Sequence, residues 1–123
     1  MIVYVDYSDI HAGAMRELRA AVAALAAFIE EREPQLRYYG IHVEEETSRM
    51  WVVVVHPDAA SLVLHLHVGG PEFRKVGEFI TLRTIDVFGE PGDEALELLR
   101  EKARVLGGAS LAVHALSEGF ARI

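Results

Sequence analysis

The chain contains no cysteine, which excludes disulfides, thiolate nucleophiles, iron–sulfur clusters and cysteine-ligated zinc. Positive charge is scarce: twelve basic residues face nineteen acidic ones, for a formal net charge of −7. No basic field therefore draws the protein to nucleic acid or to an anionic membrane surface. Long apolar runs are missing as well, the longest falling far short of the ~20 residues a membrane span needs. No basic segment precedes an apolar run at the N-terminus, so no signal peptide is expected and the expected location is cytoplasmic. Within these exclusions stand 123 residues, 51% hydrophobic and 25% charged. That is the composition of one globular domain, residues 1–123, able to bury a core without covalent staples.

Hydrophobic periodicity gives the order of elements. Ile2 to Tyr7 reads as a strand, followed by turn and capping oxygens at Asp6, Ser8 and Asp9. From about Ile10 to Glu33, Met15, Leu18, Val22, Leu25 and Ile29 recur at spacings of three and four, and Pro34 ends this long amphipathic helix. Leu36 to Glu45 and Arg49 to His56 read as a hairpin turning at Glu46-Thr47. A symmetrical register pairs Glu44 with Arg49, Val43 with Met50, His42 with Trp51 and Tyr39 with Val54. Pro57 to about His67 fits a short helix with Pro57 and Asp58 in its first turn. Leu62, Leu64, Leu66 and Val68 also alternate as a strand would, and the sequence leaves both readings open. Glu72 to Glu78 reads as a second short helix and Phe79 to Phe88 as a strand. Asp93 caps a helix from Glu94 to Leu106 with Leu96, Leu99, Ala103 and Leu106 on its inner face. Leu111 to Leu116 and Phe120 to Ile123 are extended. The fold class is α+β, a ferredoxin-like β-α-β-β-α-β core over residues 1–88 with a helix–strand extension over 89–123.

Both faces of the second hairpin strand are apolar, although few helices are available to cover them. A homodimer packed sheet to sheet is expected, with Tyr38, His42 and Trp51 in its interface. The last strand has a connection long enough to reach a partner.

The long helix after the first strand, its Glu33-Pro34 ending and the stretch WVVVVHPDAASLVLH from Trp51 to His65 resemble the dimeric α/β-barrel superfamily. In particular the chain is similar to the antibiotic-biosynthesis-monooxygenase-like proteins. In that family a His lies about two turns along the helix after the third strand, as His65 does here. The resemblance implies a dimeric barrel, a small-molecule ligand and, in some members, oxygenation without a cofactor. It departs at residues many members use. There is no asparagine, the only tryptophan is Trp51 in mid-strand, and His56 stands where a Trp is common. The quinone-forming and haem-degrading mechanisms therefore do not carry over intact.

His56 and His65 are the candidate catalytic residues. A neutral imidazole can accept a proton from an acidic phenol or enol, and the deprotonated substrate can then give an electron to oxygen. Tyr39, Asp58 and Ser61 are candidate substrate-binding groups. In the opposing reading, His56 caps the helix and His65 is a satisfied core histidine. Asp58, Ser61 and His65 do not form a catalytic triad, because Asp58 and His65 lie ~10 Å apart along a helix axis. Ser61 is expected to bond a preceding carbonyl. His65-x-His67 would share a face only on a strand, and no spacing selects a third ligand, so no metal is expected. Three functions remain: a small oxygenase with His65 as base and no cofactor, a non-catalytic dimeric ligand-binding or stress-associated module, and haem binding through a histidine.

Overall fold

A computed structural model describes residues 1–123. Its elements run β1 (Ile2–Ile10), α1 (Met15–Arg32), β2 (Tyr38–Glu44), β3 (Arg49–His56), α2 (Ala59–Val68), α3 (Gly70–Val76), β4 (Ile80–Phe88), α4 (Gly92–Val105) and β5 (Ser110–His114). One five-stranded sheet has the order β2-β3-β1-β4-β5, antiparallel except for the parallel β4–β5 pair. The helices cover one face of it. Leu18, Leu25 and Ile29 of α1, Leu62 of α2, Phe73 and Val76 of α3, and Ala95, Leu99 and Ala103 of α4 pack on Met50, Val52, Val54, Leu82, Ile85 and Val87 of the sheet.

The hairpin register matches the expected pairs throughout, from Glu44 opposite Arg49 to Tyr39 opposite Val54. Residues 59–68 are helical, and Asp58 caps that helix from outside instead of lying in its first turn. The first strand is longer than expected. Asp6, Ser8 and Asp9 are strand residues, not turn or capping groups, because β4 pairs with β1 as far as Ile10 opposite Ile80. The helix after it accordingly starts at Met15, beyond a turn with Gly13 at φ +78°. Asp93 lies in the first turn of α4, whose cap is Pro91. Phe120 to Ile123 form no strand. The last strand docks in parallel on β4 of its own chain. No helix is long and apolar enough to cross a membrane.

One feature of β1 runs against its central place. Its inward positions are Ile2, Tyr4, Asp6, Ser8 and Ile10, all buried. Three consecutive inward side chains are thus polar in a strand flanked on both sides.

Candidate functional site

The buried stripe of α1 ends in a carboxylate. Leu25 and Ile29 lie four residues apart on the inner face, and Glu33, four further on, is only 2% exposed. A buried carboxylate is tolerated only when paired and hydrogen-bonded. The partner of Glu33 is His65 on the inner face of α2, whose Nδ1 lies 2.9 Å from both Oε1 and Oε2. Gln35 Nε2 donates to Oε1 at 3.3 Å. With its Nδ1–H given to the carboxylate, His65 keeps Nε2 for other work. That nitrogen has no hydrogen-bond partner in the protein and is not among the side-chain atoms sealed from solvent.

His56 ends β3 and is fully buried. Its ring stands edge-on to that of His65, with centroids 5.4 Å apart. Nδ1 lies 2.8 Å from Ser61 Oγ, so Ser61 bonds this ring and not the preceding carbonyl expected of it. Burial, followed by the neighbouring His65, pushes the pKa of His56 down to about 3, against an upward pull from Asp58. His56 is therefore a neutral neighbour that does not compete for a proton. Its Nε2 is sealed and unpartnered.

Tyr39 of β2 sets its ring 5.8 Å from that of His65, at 59°. Burial and the charges of Asp6 and Glu33 raise its pKa, so the hydroxyl remains a donor. Asp58 is exposed, and its Oδ1 accepts the Ser61 backbone N–H at 2.9 Å, which is the work of a helix cap. At the end of α1 a groove of 390 Å³ opens beside β2, lined by Ile29, Glu33, Pro34, Leu36, Arg37 and Tyr39 but by neither His65 nor His56.

The structure thus gathers His65, His56 and Tyr39, attaches Ser61 through His56, and gives Asp58 to the end of α2. The helical state of α2 buries His65 and leaves His67 exposed on another face. No three His, Asp or Glu side chains stand together as metal ligands. Sequence reasoning missed Glu33 as a site residue. The available signal was its position, a carboxylate continuing the 25–29 stripe directly before Pro34. A carboxylate on one ring nitrogen fixes the tautomer and orientation of an imidazole. The arrangement can take a proton at Nε2 and give a hydrogen bond from Tyr39.

An antiparallel β-α-β-β-α-β sheet with helices on one face is the ferredoxin-like fold of the antibiotic-biosynthesis-monooxygenase-like proteins. Among solved structures, MupZ from Pseudomonas fluorescens is similar over 98% of this chain and 93% of its own, at 24% identity and a TM-score of 0.67. SnoaB from Streptomyces nogalater, a cofactor-independent oxygenase, is similar over 75% of this chain and 94% of its own, at 20% identity and a TM-score of 0.60. An antibiotic biosynthesis monooxygenase is similar over 71% of this chain and 93% of its own, at 16% identity and a TM-score of 0.58. No family model matches the chain, and no curated protein matches it in sequence.

Proposed function

We propose that the protein binds a small phenolic or enolic aromatic compound against Tyr39 and His65 and oxygenates it without a cofactor, with His65 as general base. The observation that carries this reading is the buried Glu33–His65 pair, which leaves Nε2 as the free nitrogen of the His65 ring. His65 Nε2 takes the acidic proton, Tyr39 donates to the oxygen that gains charge, and neutral His56 packs against the base. The carbanion or phenolate then transfers electrons to dioxygen. For an activated ring methylene the balance is CH₂ + O₂ → C=O + H₂O, so oxygen is the only co-reactant. The description of SnoaB as a cofactor-independent oxygenase supports the reaction class.

The outer face of the sheet, with Tyr38 44% exposed and Trp51 beside His42, carries no helix. We infer that a second copy of the chain covers it, giving a homodimer, and the expected cytoplasmic location belongs to the same proposal.

The test is oxygen uptake by the purified protein with a panel of anthrones, quinols and naphthols, comparing wild type with His65→Ala. The expected result is uptake with at least one compound, reduced about 10²–10⁴-fold in the variant, the usual share of a general base. Binding of the compounds without uptake would overturn the oxygenase reading in favour of a ligand-binding module.

A further inference from the structure

A second polar cluster lies under α4, apart from the histidines. Tyr4 OH donates to Asp6 Oδ2 at 2.6 Å, and Lys102 Nζ donates to Tyr4 OH at 2.7 Å, with Asp6 Oδ2 at 3.4 Å. The Lys102 side chain is only 12% exposed, and that of Asp6 is fully buried. The ammonium also lies 4.2 Å from the Phe73 ring centroid and 4.8 Å from that of Tyr4. A tether between α4 and β1 needs only the ion pair. This cluster has more: Asp6 Oδ1 is a sealed oxygen without a partner, and Lys102 is one of the residues lining a cavity. The cavity, 230 Å³ between α2, α3 and α4, is walled by Leu66, Phe73, Leu98 and Leu106, with Lys102 and Arg74 as its cations.

The titratable groups facing Lys102 are Tyr4 and Asp6 from β1, His67 from α2, Arg74 from α3 and Glu101 from α4. Glu101 is occupied by Arg104 at 2.7 Å. Burial lowers the pKa of Lys102 by more than Asp6 raises it. Desolvation in an apolar pocket is the usual way a lysine becomes a nucleophile.

We propose that Lys102 is an amine nucleophile that forms an imine with a small apolar aldehyde or ketone held in this cavity. The Lys102 ammonium gives a proton to Asp6. The freed lone pair forms a C–N bond to the carbonyl carbon as the C=O π bond opens onto oxygen. That oxygen takes a proton from Tyr4, which is reprotonated by Asp6. The nitrogen then gives its second proton to Asp6, which returns it through Tyr4 to the new hydroxyl. The hydroxyl leaves as water as the nitrogen lone pair forms the C=N bond, and the iminium gives its last proton to solvent. Amine and carbonyl become imine and water, with no oxidant or reductant. The site makes no use of Glu33 or His65 and stands whether or not they act as a base.

The chain has only two lysines, which makes the test direct. Lys75 is exposed and paired with Glu72 at 3.0 Å, so it serves as the internal reference. The folded wild-type chain is incubated with hexanal and cyanoborohydride at pH 7, and adducts are mapped by peptide mass spectrometry over time. The expected result is alkylation of Lys102 ahead of Lys75. Tyr4→Phe, checked for folding by circular dichroism, should slow Lys102 and leave Lys75 unchanged. Alkylation of Lys75 with Lys102 untouched would overturn the proposal. So would a Lys102 rate indifferent to the folded Tyr4→Phe change, which would leave the cluster a structural tether.

Discussion

At the scale of single residues, the candidate site is a matter of which buried polar groups have partners. Glu33 and His65 satisfy each other, so removing one strands the other in the interior. Glu33→Ala should cost about 1–3 kcal/mol by leaving His65 Nδ1 unpaired, and urea denaturation at pH 7.5 measures it. His56 gives a prediction in pH. Its folded pKa of about 3 lies below the ordinary value near 6.5, so the folded state favours the neutral ring. The resulting stability is fully present above pH ~6.5 and is lost as pH falls from there toward 3, since the unfolded chain binds the proton first. Urea midpoints measured between pH 7.5 and 4.5 should fall for wild type, and His56→Gln should flatten that slope. His56 and His65 were legible in the sequence because histidines at a strand end and along the next helix are chemically conspicuous. Glu33 was not: a glutamate before a proline reads as a solvated helix end until the stripe through Leu25 and Ile29 is followed one step further. Asp6 was hidden for a similar reason, because an acidic residue near Ser8 and Asp9 suggests a turn.

At the scale of elements, the site depends on how closely α2, α3 and α1 approach. A β-carbon added at Gly69, between α2 and α3, would stand 2.7 Å from Ile29 Cδ1 and 3.1 Å from His65 Cε1. Gly69→Ala should therefore push Ile29 and the His65 ring aside and destabilise the fold by roughly 1–3 kcal/mol. A thermal scan reads the stability, and the His65 ring resonances report the displacement. Much of this scale was visible beforehand. The β2–β3 register followed from charge pairing and alternation, and the structure keeps it pair for pair. The state of residues 59–68 did not, since Leu62, Leu64 and Leu66 satisfy both periods. What decides it is the cap: Asp58 Oδ1 holds the Ser61 N–H, so a helix starts there and buries Ser61, Leu62 and His65 together. The extent of β1 was equally hidden, because its length is set by pairing with β4, some seventy residues away.

At the scale of the whole molecule, one sheet face is covered by four helices and the other by none. Trp51 stacks on Tyr7 at 5.2 Å on that second face, and Tyr38 stacks on His42. The proposed homodimer would bury them. Sedimentation equilibrium at micromolar concentration should give twice the mass of 13.6 kDa, and Trp51→Glu should shift it toward the monomer. A monomeric wild-type mass would contradict the dimer. The function proposed for the molecule depends on one nitrogen inside it, and the most direct test is long-range ¹H–¹⁵N NMR of the His65 imidazole at pH 7. A protonated Nδ1 facing Glu33 and a bare Nε2 are expected, the latter moving when 1-naphthol is added. A bare Nδ1, or an Nε2 that ignores every phenolic ligand the protein binds, would contradict it.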